Sequence, residues 1–208
     1  YADAVLASFA QRPSFPGVND SFPVSPPRAW AEIDLGAMKR NLAVARESFG
    51  GGALMAVVKA GAYGHGLEEI AKALESEHIA FFGVANVGEA RRIRQAGVRT
   101  PIYLLGATWS EEREEIVARD WTPCISSISE AEQFNCLAST YGKRIKVHLA
   151  VDTGMGRGGF IAERLPEILA QLECLKNLEI EGIGSHLPSA DEDQEFTLRQ
   201  FQHFHSII

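Results

Sequence analysis

The sequence predicts an α/β protein of parallel strands joined by helical crossovers. Short apolar runs alternate with amphipathic stretches from Ala29 onward, and six such βα units fill Arg28 to Ile208. Regular alternation of this kind means either an open doubly wound sheet or a (β/α)8 barrel. A closed barrel takes eight strands and typically about 250 residues, so a barrel here would be TIM-like with about two of its units missing. In both architectures active sites gather at the carboxyl ends of the strands.

The elements follow in order. Leu35 to Phe49 places Leu35, Met38, Leu42 and Ala45 at helical spacing, opened by Asp34 as N-cap. Ala53 to Lys59 is a continuous apolar run ending in a cation, the pattern of a buried strand. Further strands are expected at Ala80 to Ala85, Pro101 to Leu105, Thr122 to Ile125, Ile145 to Val151 and Leu178 to Ile183. The stretches Gly66 to Ser76, Val87 to Ala96, Glu111 to Arg119, Glu130 to Thr140, Ala162 to Glu173 and Asp191 to Ser206 read as helices. Ser129 with Glu132 has the spacing of a capping box, and Asp191 and Glu192 read as first-turn acids.

Composition bounds the rest. The 208 residues are 46% hydrophobic and 23% charged, ordinary for a globular protein. The net charge of -7 argues against nucleic-acid or anionic-membrane partners, and no apolar run approaches a membrane span. Cys124, Cys136 and Cys174 are widely spaced and form no CxxC pair, which favours reduced thiols and a cytoplasmic setting. The histidines show no metal-like spacing. Residues 1–27 carry five prolines with little periodicity and read as a flexible arm without the regions of a signal peptide. The first residue is Tyr1, so a removed leader and a periplasmic form stay open.

Three strand ends carry chemistry. Lys59 emerges from a buried strand, where an amine is a candidate nucleophile. The small residues after it leave room for a ligand, and Tyr63 adds a hydroxyl; the alternative is a snorkelling rim lysine before a glycine-rich turn. After the fifth strand, Gly154, Gly156 and Gly159 match GxGxxG, a weak dinucleotide signal this far along the chain. The same glycines would also let Arg157 swing over the strand ends to bind a carboxylate or phenolate oxygen. His186 ends the sixth strand, either donating to or stacking on a ligand or serving as a structural histidine.

In this order the segments resemble the N-terminal barrel domain of alanine racemase, a fold-type III pyridoxal-phosphate enzyme. The resemblance runs from Ala29-Trp30-Ala31-Glu32-Ile33-Asp34-Leu35 to the end of the chain. It includes Val57-Val58-Lys59-Ala60, Ala62-Tyr63-Gly64-His65-Gly66, Pro101 to Gly106, Asp152-Thr153-Gly154-Met155-Gly156-Arg157 and Ser185-His186. It implies pyridoxal 5'-phosphate as cofactor and a barrel with about six of eight βα units present. By the same resemblance Lys59 forms the internal aldimine and is one of two catalytic bases, and Tyr63 binds the cofactor phosphate. Arg157 contacts the phenolic oxygen and the substrate carboxylate, His186 packs on the pyridine ring and Leu105 lines the pocket. L- and D-alanine would be interconverted in a homodimer, supplying D-alanine for peptidoglycan precursors.

The chain departs from the family pattern. Gly61 stands where Asn or Asp is usual, and Ala150 stands where many members carry a carbamylated lysine that braces the arginine. The last barrel strands and the C-terminal β-domain, whose tyrosine supplies the second base from the other subunit, have no counterpart in these residues. The chain alone is therefore expected to be inactive, whether as part of a racemase or as a non-catalytic pyridoxal-phosphate-binding module or remnant.

Overall fold

The computed structural model describes residues 29–208; the segment 1–27, expected as a flexible arm, lies outside the described residues. In chain order the elements are α1 (Leu35–Ser48), β1 (Met55–Val57), a turn over Lys59–Tyr63, α2 (Leu67–Glu75), β2 (Phe81–Val84), α3 (Val87–Gln95), β3 (Ile102–Leu104) and α4 (Ser110–Ala118). Then come β4 (Thr122–Ile125), α5 (Ile128–Thr140), β5 (Ile145–Asp152), the short β6 (Phe160–Ile161), a 3-10 turn (Ala162–Arg164), α6 (Leu165–Leu172), β7 (Leu178–Gly184) and α7 (Gln194–Ile207). Each strand and helix expected from the sequence is present.

The strands pair in parallel in the order β1-β2-β3-β4-β5, and β5 also pairs with both β6 and β7. A doubly wound sheet reverses its strand order at a switch point. Here the order never reverses, so right-handed crossovers lay every helix on one face and the sheet curls in the barrel sense. The fold is therefore a partial set of βα units of a barrel. Among the described residues, β1 and β7 are not paired with each other.

The core lies between the sheet and the helices. Phe82, Val84, Ile102, Leu104, Ile125, Val147 and Leu149 project from the strands onto Leu67, Val87, Ile93, Ile116, Phe134 and Ile168. Period-two alternation turns the neighbouring residues inward, where Phe81, Tyr103 and His148 cluster with ring centroids 4.9 to 6.4 Å apart. On α1, Met38 and Leu42 pack on the core while Leu35 stays exposed. Asp34 caps this helix as expected, accepting the Ala37 N–H at 2.9 Å. No helix among the described residues is long and apolar enough to cross a membrane.

Two local expectations are corrected. The capping residue of α5 is Ser127, accepting the Glu130 N–H at 3.2 Å, not Ser129 with Glu132. Overlapping S-x-x-E patterns compete there, and the earlier one wins because Glu130 also reaches the N–H groups of Ser126 and Thr108. Asp191 and Glu192 precede α7, which is capped by Asp193 and carries Glu195 in its first turn.

Candidate active site

Lys59 sits one residue beyond the buried Val58, where β1 runs out, and is itself half-buried. The chain then makes a left-handed turn, with φ of +53°, +65°, +56° and +55° at Ala60, Gly61, Ala62 and Tyr63. Only Gly61 takes this conformation freely; each other residue costs about 1–2 kcal/mol. Hydrogen bonds hold the turn: Ala62 N–H to Val58 O at 2.8 Å, Gly64 N–H to Ala60 O at 3.0 Å and Gly66 N–H to Gly61 O at 3.1 Å. A fourth runs from Gly61 N–H to Glu89 Oε1 at 3.2 Å. The turn aims Lys59 into a cavity at the strand ends and leaves Tyr63 59% exposed at its mouth.

The loop after β5 is tied by its first residue. Asp152 Oδ1 accepts the Gly154 N–H at 2.8 Å and Oδ2 accepts the Gly156 N–H at 2.9 Å. These bonds hold the Asp152 carboxyl below its ordinary range, against a smaller opposing effect of burial. Within this loop Gly159 serves closure. Gly159 has φ of +126°, and a Cβ there would stand 2.9 Å from Asp152 N, so only glycine lets the loop return onto β5. Buried Gln200 on α7 links the neighbouring loops, donating to Thr153 Oγ1 and His186 O at 3.3 Å each, while Thr153 and Ser185 hydroxyls meet at 2.8 Å.

One cavity of about 570 Å³ is lined by Lys59, Tyr63, Leu105, Arg157 and His186 together. The structure thus brings all five residues singled out in the sequence to one place. Ala150 lines the same cavity, and among the described residues Arg157 makes no hydrogen bond or ion pair. Tyr103, Cys124 and Ser126 also line it and were missed. Tyr103 on β3 and Cys124 on β4 stand two residues before Leu105 and Ser126, which directly follow those strands, so same-face spacing was the signal that would have found them. Burial pushes the Tyr103 phenol and the Cys124 thiol up, the adjacent Tyr103 hydroxyl partly offsetting the effect on Cys124. The site therefore offers an amine, a guanidinium, an imidazole and two phenols around a partly apolar chamber.

Known proteins resemble this chain in sequence and in fold. A family profile described as "Alanine racemase, N-terminal domain" matches residues 33–208. The alanine racemase of Methylacidiphilum infernorum is 39% identical over 182 residues, covering 87% of this chain and 47% of that protein. The solved alanine racemase of Clostridium difficile 630 superposes with a TM-score of 0.80 at 34% identity, covering 86% of this chain and 47% of its own. The histidine racemase of Leuconostoc mesenteroides gives a TM-score of 0.76 at 28% identity, covering 82% of this chain and 46% of its own. The chain spans about half the length of the curated relatives it matches. By its fold and its sequence, it belongs to the family of alanine racemase N-terminal domains.

Proposed function

We propose that this chain forms the cofactor-bearing part of a pyridoxal-phosphate-dependent racemase that interconverts L- and D-alanine. The observation that carries the reading is the convergence of Lys59, Tyr63, Leu105, Arg157 and His186 on one cavity at the strand ends. Its volume of about 570 Å³ lies within the range of pockets that enclose a small cofactor with its substrate, and the donor set suits the group. Pyridoxal 5'-phosphate, when bound, supplies an electron sink for the pair left when the α-proton of an amino acid departs.

The chain's own residues do the rest. Lys59 Nζ anchors the cofactor and moves the α-proton on its own face of the substrate Cα. Tyr63 donates its hydroxyl to the phosphate. Arg157 directs its planar fork at the cofactor's phenolic oxygen and the substrate carboxylate. His186 packs on the pyridine ring, and Leu105 walls the apolar side. Lys59 serves one face only, so inversion needs a second acid/base on the other. We assign that group to a tyrosine of a C-terminal β-domain contributed by the partner in a homodimer. On this reading residues 28–208 form the partial barrel domain, and D-alanine is supplied for peptidoglycan precursors in the cytoplasm.

One observation favours a second reading, a non-catalytic pyridoxal-phosphate-binding module. Ala150 lines the same cavity, and Arg157 has no bracing partner among the described residues. Incubation with pyridoxal phosphate and alanine in D2O separates the two. The racemase reading expects the chain alone to exchange the α-proton of one enantiomer without inverting it, and Lys59→Ala to abolish exchange. No exchange from either enantiomer would favour the module, and inversion by the chain alone would contradict the need for a second base.

A further inference from the structure

Two buried glutamates occupy equivalent places two βα units apart. Glu89 is the third residue of α3 and Glu130 the third of α5, and they are only 8% and 4% exposed. Each follows a polar cap, Asn86 or Ser127, whose side chain accepts the glutamate's own N–H at 3.0 and 3.2 Å. Each carboxyl then bridges two rim loops, that of its own unit and that of a neighbouring one.

Glu89 Oε2 accepts the Ala85 N–H at 2.9 Å, and Oε1 accepts the Gly61 N–H at 3.2 Å. Glu130 Oε2 accepts the Ser126 N–H at 3.1 Å, and Oε1 accepts the N–H and hydroxyl of Thr108 at 3.3 and 3.2 Å. A buried carboxyl needs such donors to offset its desolvation, and backbone N–H groups on fixed loops supply them. The two clamps differ in what they hold. Glu130 ties the loops after β3 and β4, whereas Glu89 ties the loop after β2 to the left-handed turn that begins at Lys59 and ends at Tyr63.

We propose that Glu89 is a positioning residue for Lys59. It pins the strained turn at Gly61 and so fixes the direction in which the amine enters the cavity. This rests on the role proposed above for Lys59. The pin is needed because three non-glycine residues of the turn hold positive φ, so an unpinned turn relaxes toward ordinary backbone and carries the lysine with it.

The test compares the 208-residue chain with Glu89→Gln and Glu130→Gln. Glutamine replaces one carboxyl oxygen by an amide nitrogen, so one backbone N–H in each clamp loses its acceptor. In Glu89→Gln the amide oxygen keeps the shorter bond, to the Ala85 N–H, and the nitrogen turns to Gly61, so Gly61 amide hydrogen exchange should rise about tenfold. The fraction of pyridoxal 5'-phosphate fixed on Lys59 by borohydride, read by peptide mapping, should fall by about tenfold. Glu130→Gln should speed exchange at Thr108, whose bond is the longer of the two, and keep Lys59 labelling. Unchanged Gly61 exchange, or wild-type labelling of Lys59 in Glu89→Gln, would overturn the proposal. If the wild-type chain labels another lysine, the functional reading falls, and Gly61 exchange alone decides whether Glu89 holds the turn. Should Glu89→Gln fail to fold, adding Ala60→Gly removes a side chain from a φ of +53° and restores the turn's tolerance. Lys59 labelling in that double variant well below that of Ala60→Gly alone supports the assignment, and labelling equal to that of Ala60→Gly contradicts it.

Discussion

Gly182 on β7 faces the imidazole of His148 on β5 so closely that a Cβ on Gly182 would stand 2.8 Å from His148 Cε1. The pairing of the two strands shifts register at Val147/His148, and the ring lies over Tyr103 at 4.9 Å, on the inner face of the sheet below the cavity. Gly182→Ala must therefore push the ring off Tyr103, an overpacking that costs about 1–3 kcal/mol. Urea unfolding should show a lower midpoint at unchanged slope. Gly184→Ala, with no atom within 4 Å of the added Cβ, should show no comparable loss.

Asp152 gives the fold a sign-defined response to acid. Its carboxyl is held below the ordinary 3.8 by the N–H groups of Gly154, Gly156 and Met155. A group depressed in the folded state contributes stability above its unfolded pKa and loses it as pH falls through the folded one. Asp152→Asn should flatten the stability profile below about pH 4, by less than about 1 kcal/mol because solvent reaches the group. A thermal-unfolding series from pH 2 to 6 measures this; an unchanged acid limb would contradict it.

Gln200 joins the two loops that carry Arg157 and His186. It is 1% exposed and donates to Thr153 Oγ1 and His186 O. Gln200→Ala should cost about 1–3 kcal/mol in chemical unfolding, since it opens a cavity and takes the Gln200 donor from His186 O, while Thr153 keeps its bond to the Ser185 hydroxyl. It should also weaken pyridoxal phosphate binding, which an equilibrium titration would detect.

The left-handed turn is a site where a stabilising change should harm function. Ala60→Gly relieves about 1–2 kcal/mol of backbone strain against a glycine entropy cost of about 0.5–1 kcal/mol. The melting temperature should rise slightly while Lys59 labelling slows, because the turn then has more conformations to visit. A fall in melting temperature would contradict the strain.

The strands and helices were legible because apolar runs bounded by turn residues leave few choices, and the site residues because each stands just past such a run. Barrel order was legible only through the family resemblance, not from the alternation itself. Alternation fits both architectures, and the unreversed pairing from β1 to β5 and on to β7 shows the barrel order. The turn at Lys59 also escaped, since Ala60 and Ala62 carry no local preference for positive φ and hold it only through tertiary bonds such as Gly61 to Glu89. At Ser127 the capping signal was present but duplicated, and burial of Glu130 chose between the copies.

The central claim is that Lys59 is the amine that holds the cofactor. Borohydride reduction of the chain incubated with pyridoxal 5'-phosphate, followed by peptide mapping, tests it most directly. The account predicts one dominant phosphopyridoxyl adduct, on Lys59, lost in Lys59→Ala. A dominant adduct on any other lysine, or even labelling across the surface lysines, would contradict it.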